Sequence, residues 1–356
     1  MRFPGLIDPH VHLREPGASY KEDWSSGTAA ALAGGFTQVL AMPNTQPPVV
    51  DGTTLSQVYD LAERKARCDF MQYLGAGKDN ADSILACADQ SAGLKLYLDQ
   101  TYGPLQLGSM SEWMAHFKSW PKNLPMVAHA EGKTLAAAIL IAALVDRPLH
   151  LAHLATREEV LIVRKAKERG LKVTCEVTPH HLFLTDADLS GGWGEVRPRL
   201  GSQADVDALW DNLDVIDCFA TDHAPHTRTE KGSDNPPPGF PGLETALSLF
   251  LTAVHQGRLS MKDVIERMSS NVRRIFNIPE QTGTWVDVDL DMQSTLTAEG
   301  MYSKAGWTPF EGYRVHGGVH KVVLRGDVVM EDGEVLAPPG FGQRINRKNG
   351  SSEGNQ

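Results

Sequence analysis

The chain has 356 residues, 41% of them hydrophobic, and a net charge of −10 at neutral pH. This length can bury one large barrel or two to three ordinary domains, and the acidic balance without a dense Lys/Arg cluster argues against nucleic acid as a partner. The four cysteines show no paired spacing, so we expect no disulfide framework. No signal peptide is visible, so we expect a cytoplasmic protein. The longest apolar run, 135–145, is too short to span a bilayer, so we expect no membrane association.

Short apolar or β-branched runs alternate with amphipathic segments along most of the chain. The predicted strands cover residues 3–11, 36–42, 69–74, 93–98, 125–129, 149–153, 172–177 and 217–221. Predicted helices occupy 21–33, 55–66, 111–118, 156–169, 243–255 and 261–269. Such alternation indicates parallel strands joined by crossover helices. Eight units in roughly 250 residues predict an α/β fold of the TIM type, a (β/α)8 barrel.

The sequence changes character near residue 306. Short strands broken by Gly and Pro follow, and Glu331-Asp-Gly-Glu334 is a hairpin signal. We expect residues 1–305 to form the barrel and 306–345 a small C-terminal β appendage. The polar residues 346–356 are expected to form a disordered tail or linker.

The first predicted strand ends in Asp8-Pro-His-Val-His12. Side chains alternate along a strand with period two, so His10 and His12 face the same side and can reach one metal ion. The pair by itself does not distinguish a metal site from chance.

Further polar residues end other predicted strands, where the active sites of such barrels lie. They are Lys95 on strand 4, His129 on strand 5, His153 on strand 6 and Asp222 on strand 8. A single histidine at a strand end is more often structural than a ligand, but several on five strands would converge at one mouth. Imidazole and carboxylate are usual ligands of zinc and its neighbours, so the pattern predicts a metal site.

Lys95 is unusual because it lies inside an apolar strand, Gly-Leu-Lys-Leu-Tyr-Leu. Burial lowers the pKa of a lysine, and a neutral amine can add carbon dioxide to give a carbamate. The two carbamate oxygens could bridge two metal ions. A lysine that reaches solvent or pairs with an acid is the simpler interpretation of this residue alone.

Six motifs, taken together and in order, resemble the amidohydrolase superfamily. They are the segments 8–17 (DPHVHLREPG), 41–45 (AMPNT), 93–97 (GLKLY), 127–131 (VAHAE), 221–226 (TDHAPH) and 236–245 (PPPGFPGLET). Within that superfamily, residues 3–345 resemble dihydroorotase, and most closely the dihydroorotase domain of the multifunctional animal pyrimidine-synthesis polypeptide.

The resemblance implies a binuclear zinc hydrolase that reversibly cyclises N-carbamoyl-L-aspartate to L-dihydroorotate in pyrimidine biosynthesis. The implied ligands are His10, His12, Asp222 and carboxylated Lys95 for one zinc ion, and carboxylated Lys95, His129 and His153 for the other. It also implies a hydroxide between the two ions as the nucleophile, with Asp222 as the general acid and base.

The resemblance also assigns residues to the substrate. Arg14, Asn44 and His226 would bind its carboxylate, because an arginine fork suits that planar group. Backbone groups near Pro238 and Gly239 would contact the ring amide.

Three further contacts are implied outside this group. Arg197 would reach a ring carbonyl, although a surface ion pair explains this residue equally well. Thr101 and Tyr102 would close over the bound substrate and exclude water, with fixed packing of the aromatic ring as the alternative.

Two departures from the family pattern affect these expectations. Animal relatives carry a cysteine that, with a downstream glutamate, is associated with a third metal; here that position is Ala152, while Glu176 remains. We therefore expect two zinc ions, with a third at Glu176 in doubt. Free-standing relatives have strands before the barrel, whereas this sequence starts at strand 1, so we expect the appendage to fold with little help.

The same start suggests a domain fused to carbamoyl-phosphate synthetase and aspartate transcarbamoylase domains, and a homodimer is the family expectation. Two alternatives stay open. A hydantoinase or allantoinase would share the metal residues but not the Arg14/Asn44 pair. A non-catalytic scaffold relative is the other.

Overall fold

The computed structural model describes residues 1–347. The sequence-based expectation of a disordered tail falls, from residue 348 onward, outside the described residues. Arg347 itself is held by the body of the protein, since Nη1 donates a hydrogen bond of 2.6 Å to the carbonyl of Ser91. Among the described residues, no helix combines the length and apolar character that crossing a membrane requires.

The core of the structure is the predicted TIM-type (β/α)8 barrel. Its strands are β2 (Leu6–Val11), β3 (Phe36–Ala41), β4 (Asp69–Gln72), β5 (Leu74–Gly75), β6 (Leu94–Tyr97), β7 (Met126–His129), β8 (Leu149–Leu151), β9 (Val173–Val177) and β10 (Cys218–Phe219). All neighbouring pairs are parallel, and β4 and β5 are two parts of one barrel strand interrupted at Tyr73. The ring closes where Val11 bridges His223 just beyond β10.

Helices connect the strands and cover the outside of the barrel. They are α1 (Trp24–Ala33), α2 (Gly52–Lys65), α3 (Met110–Ser119), α4 (Gly132–Leu144), α5 (Arg157–Glu168), α6 (Pro179–Phe183), α7 (Gln203–Asp211), α8 (Arg228–Lys231), α9 (Ala246–His255), α10 (Met261–Ile265) and α11 (Asn271–Phe276). Four of the crossover helices begin where Asp23, Asp51, Ser109 or Thr156 accepts a hydrogen bond from the backbone N–H three residues later. These side chains satisfy N–H groups that a helix start leaves unpaired, which explains the observed boundaries.

A five-stranded antiparallel sheet forms the appendage. In spatial order its strands are β1 (Arg2–Pro4), β11 (Trp285–Thr295), β12 (Arg314–Leu324), β13 (Asp327–Glu331) and β14 (Glu334–Val335). The C-terminal part of this sheet starts at residue 285, earlier than the expected boundary at 306. The sheet also includes β1 from the beginning of the chain, so the expectation that the appendage folds with little help was wrong.

The predicted first strand, 3–11, divides at Gly5. A side chain at Gly5 would place its Cβ 2.5 Å from Oγ1 of Thr37, so only glycine allows this close passage beside β3. The residues before Gly5 pair with β11, and the residues after it enter the barrel.

Phe3 lies where the sheet meets the barrel and is 1% exposed. We expect Phe3→Ala to lower the free energy of unfolding by about 3–5 kcal/mol, because truncation leaves a cavity in the core. Urea unfolding measures this change. Val328→Ala, at a position of β13 that is 41% exposed, is the matched control and should change it by less than about 0.5 kcal/mol. Equal effects in the two variants would show that β1 is not part of the core.

Candidate active site

The first cluster at the barrel mouth joins the first and last strands. Nε2 of His10 and Nε2 of His12 lie 3.3 and 3.2 Å from the same oxygen, Oδ1 of Asp222. Burial lowers the pKa of His12 to about 4, so its ring is neutral at pH 7. Burial acts to raise the pKa of Asp222, but the two facing imidazoles outweigh it and hold that pKa well below its usual range.

This arrangement fits a bound cation. Oδ1 of Asp222 is buried and has no hydrogen-bond donor in the described part of the chain. One carboxylate oxygen and two imidazole nitrogens that face each other, with no hydrogen bond to the oxygen, are atoms that could ligate the same metal ion. Ligand atoms of His10, His153 and Asp222 also lie within 4.8 Å of one another, so the group could hold one ion.

A second cluster lies at the ends of β7 and β8. Nδ1 of His129 is 2.9 Å from Nε2 of His153, and the two rings meet edge to face. Burial lowers the pKa of both imidazoles, that of His153 strongly. Metal ligation requires neutral imidazole, so this pair is also suited to hold an ion.

Lys95 is completely buried close to both clusters. Its Nζ lies 3.5 Å from Nε2 of His10. Burial lowers the pKa of Lys95 to about 8, although Glu176 and Asp222 pull it upward. The side chain does not reach solvent, and within residues 1–347 it forms no ion pair. The two simpler interpretations of Lys95, a side chain that reaches solvent and a side chain paired with an acid, are therefore excluded.

Glu176 lies behind the first cluster and orients it. Its Oε1 is 2.5 Å from Nδ1 of His10, and its Oε2 is 3.1 Å from Nε2 of His150. The contact to Nδ1 turns the other nitrogen of His10 toward Asp222, as carboxylates commonly do for metal-binding histidines.

Three site residues have positive φ angles although none is glycine: Arg14 at 58°, His153 at 35° and Asp222 at 45°. Such a conformation costs about 1–3 kcal/mol and persists only where the surrounding structure enforces it. Each residue lies just past the end of a barrel strand, and the sharp turn of the backbone directs its side chain into the mouth.

Arg14 and His226 contact each other at the barrel mouth, and Asn44 contacts the first cluster through His12. Nη2 of Arg14 is 3.1 Å from Nε2 of His226, and Nε of Arg14 donates to the carbonyl of Pro225. Oδ1 of Asn44 is 2.7 Å from Nδ1 of His12, while its Nδ2 donates to the carbonyl of Tyr102 at 2.9 Å. Asn44 thus joins a metal-cluster histidine to the loop over the mouth.

A cavity of about 520 Å³ lies between the loop of Thr101 and Tyr102 and the loops of residues 195–197 and 235–238. Its lining includes Thr101, Tyr102, Arg197 and Pro238. Arg197 donates to Oε2 of Glu195 at 3.0 Å, so in this state its guanidinium is paired within its own loop.

Gly239 lies next to Pro238, close to His226. A side chain at Gly239 would place its Cβ 2.4 Å from the carbonyl oxygen of Ala224, which leaves no room for any other residue. The N–H of Gly239 donates to the carbonyl of Glu195 at 3.0 Å. In this state the amide therefore ties two loops together rather than pointing into open space.

Three residues of the site were not found from the sequence. His150 supports Glu176 from below, and the buried hydroxyl of Tyr97 has no hydrogen-bond partner among the described residues. Period-two alternation from Lys95 could have identified Tyr97. The third, Lys21, lies in a loop, and its ammonium is 3.0 Å from Nδ1 of His226.

We expect zinc to stabilise the metal-free protein against heat, by about 2.7 kcal/mol at a free concentration 100 times the Kd. His12→Ala should lose most of this stabilisation, because it removes a ligand of the first cluster. Thermal unfolding with and without zinc chloride measures the effect. His320→Ala removes an exposed histidine that pairs with Asp332 and is the control. An unchanged zinc effect in His12→Ala would contradict the site.

Comparisons with known proteins identify the family of this chain. The profile of the amidohydrolase family matches residues 1–285. The chain is 39% identical over 357 residues to a dihydroorotase of Pyrococcus abyssi, covering 96% of this chain and 86% of that protein. It is 55% identical over 348 residues to the multifunctional protein CAD of Squalus acanthias, covering 97% of this chain. The chain spans only 16% of the length of that relative.

Solved structures show the same architecture. An L-hydantoinase (dihydropyrimidinase) from Arthrobacter aurescens superimposes with a TM-score of 0.89 at 26% identity, covering 96% of this chain and 88% of that one. An inactive dihydroorotase-like domain of the CAD-like multifunctional protein from Chaetomium thermophilum has a TM-score of 0.84 at 28% identity, covering 97% and 98%. The predicted fold and family are confirmed. The chain belongs to the amidohydrolase family and, within it, to the dihydroorotases.

Proposed function

We propose that this chain catalyses the reversible cyclisation of N-carbamoyl-L-aspartate to L-dihydroorotate. The observation that carries the proposal is the meeting of two unlike groups at one mouth. His12 belongs to a cluster suited to a metal, and Arg14, two residues later, lies with His226 in a group suited to a carboxylate. A cyclic amide that carries a carboxylate needs both.

Two zinc ions are the proposed cofactor. The residues that would hold them are His10, His12, Asp222 and carboxylated Lys95 for one ion, and carboxylated Lys95, His129 and His153 for the other. When bound, zinc would supply activated water and polarise the ring carbonyl. We place no third ion at Glu176, because both of its oxygens face histidine nitrogens and Ala152 offers no ligand atom.

Asp222 is the proposed general acid and base. Its carboxylate is ionised, and its Oδ1 receives no hydrogen bond from the described residues. It would take a proton from the attacking water and return that proton to the ring nitrogen as the C–N bond breaks. In the direction of ring closure the same carboxylate would remove the proton from the attacking nitrogen.

The proposed carboxylate site consists of Arg14, Asn44 and His226. Thr101 and Tyr102 would close over the bound substrate. The hydrogen bond from Asn44 to the carbonyl of Tyr102 would couple this movement to the carboxylate site. This closure would keep bulk water from the reacting amide.

The remaining contacts concern the ring of the substrate. Arg197, whose guanidinium pairs with Glu195 in this structure, would donate to a ring carbonyl of the substrate. The carbonyls of Pro238 and Gly239 would accept from the ring amide, since the Gly239 N–H is engaged by Glu195.

We also propose a larger assembly for the chain. Its 55% identity to a multifunctional relative, of which it spans 16%, supports a domain fused to carbamoyl-phosphate synthetase and aspartate transcarbamoylase. In that form it would act as a cytoplasmic homodimer.

We expect the zinc-loaded protein to hydrolyse dihydroorotate with a kcat/KM at least about 100 times that for hydantoin, because hydantoin lacks the carboxylate that Arg14 and His226 would bind. Asp222→Asn should lower kcat by about 10²–10⁴ through loss of the general base. Spectrophotometric assays in both directions measure these rates.

A preference for hydantoin would instead assign the chain to the hydantoinases. Absence of turnover with two zinc ions bound would place it with the inactive dihydroorotase-like domains. Asp332→Asn, an exposed and isosteric change in the turn between β13 and β14, should retain wild-type rates and serves as the control.

The pKa of Lys95, about 8, sets the pH at which the carbamate should form. The amine must be neutral to add carbon dioxide, and its neutral fraction rises tenfold per pH unit below the pKa. At constant dissolved carbon dioxide, we expect the rate of carbamate formation in metal-free protein to rise up to about pH 8 and then level off. A ¹³C NMR signal from labelled bicarbonate measures it, and Lys95→Met should show none. A rise that continues past pH 9 would indicate an ordinary, exposed lysine.

A further inference from the structure

Lys21 is a buried cation to which the proposed function assigns no role. It is 2% exposed, and its ammonium pairs with Oε1 of Glu230 at 2.7 Å. On its other side the same Nζ lies 3.0 Å from Nδ1 of His226 and 3.4 Å from the hydroxyl of Tyr102. Lys21 therefore contacts one residue of the carboxylate site and one residue of the closing loop.

The contacts of His226 with Lys21 and with Pro238 determine which of its nitrogens carries the proton. Burial, together with the nearby Arg14, Lys21 and Lys231, holds the pKa of His226 far below its ordinary value, so the ring has a single N–H. An ammonium group can only donate hydrogen bonds, so Nδ1 must accept from Lys21. The proton then lies on Nε2, which donates to the carbonyl of Pro238 at 3.0 Å.

This tautomer leaves two donors facing each other. Nη2 of Arg14 lies 3.1 Å from Nε2 of His226, and neither group can accept a hydrogen bond from the other. The single N–H of His226 is engaged by the carbonyl of Pro238, so Nη2 of Arg14 finds no acceptor on this ring and is suited to an anionic oxygen. In the opposite tautomer, Nε2 would accept from Nη2 of Arg14, and the carbonyl of Pro238 would lose the N–H of His226.

We propose that Lys21 is a positioning residue that fixes the tautomer of His226 and thereby prevents His226 from accepting from Arg14, which keeps Nη2 of Arg14 available as a donor to the substrate carboxylate. The identity of that anion rests on the proposed function, whereas the tautomer does not. Lys21 also contacts the Tyr102 hydroxyl, so the same ammonium supports the closing loop above the carboxylate site.

A purely structural role for Lys21, as the partner of Glu230, makes different predictions. Glu230 has other donors, since it accepts from the hydroxyl of Tyr20 and from both the N–H and Oγ1 of Thr227, each at 3.0 Å. Replacing Lys21 should therefore leave Glu230 bonded and the chain folded. If the role is only structural, the His226 tautomer and the substrate affinity should not change.

The test compares Lys21→Met with Lys304→Met. Lys304 donates to the carbonyl of Ser19 and to Asp23, in the same loop as Lys21, but does not contact His226, which makes it the matched control. ¹⁵N NMR of histidine-labelled protein without substrate reads the tautomer of His226. Steady-state kinetics on dihydroorotate read KM and kcat in zinc-loaded enzyme.

We expect Lys21→Met to move the proton of His226 to Nδ1 and to raise KM about 10- to 100-fold, the loss of one charge-assisted hydrogen bond, with kcat changed less than about threefold. Lys304→Met should match wild type in both readouts. Lys21→Arg, whose side chain can also only donate, should restore the Nε2–H tautomer even if the methionine variant does not fold.

Two results would overturn the inference. One is an unchanged Nε2–H tautomer in Lys21→Met, and the other is a changed tautomer with an unchanged KM. If wild-type protein does not turn over dihydroorotate, the proposed function fails, while the substrate-free NMR comparison still decides the role of Lys21.

Discussion

The site depends on how the first and last barrel strands are joined. Asp8, buried inside the barrel on β2, accepts a 2.5 Å hydrogen bond from Oγ1 of Thr221 and a 3.0 Å bond from the N–H of His10. Asp8 is fully buried at this junction, and burial raises the pKa of its carboxyl to about 7. Because Thr221 precedes Asp222, the junction places that carboxylate against the histidines of β2.

The mouth of the barrel separates two kinds of chemistry within a few residues. On one side, the imidazoles and the Asp222 carboxylate form a group that attracts cations. On the other side, Arg14 and Lys21 surround a neutral His226 and form a group that attracts anions. Asn44 bonds to His12 and to the closing loop, and so connects the two sides mechanically. A substrate with both a reactive amide and a carboxylate would be oriented by this division alone.

Much of this could be predicted from the sequence. The eight strands follow from local apolar patterning, and His10 and His12 follow from period-two alternation on one of them. The pairing of β1 with β11 could not be predicted, because three residues carry almost no pattern and their partners lie more than 280 positions away. Lys21 was missed because loop residues have no periodicity that indicates where their side chains point.

The sequence by itself determined the barrel, the family and the residue types that converge on the mouth, since strand alternation and strand ends are local properties of the chain. Only the tertiary structure decided which atoms face each other. It shows that the unpaired oxygen of Asp222 faces two imidazoles and that Lys21 faces Nδ1 of His226. These relations join segments that are about 200 residues apart, and they depend on the closure of the barrel rather than on any local pattern.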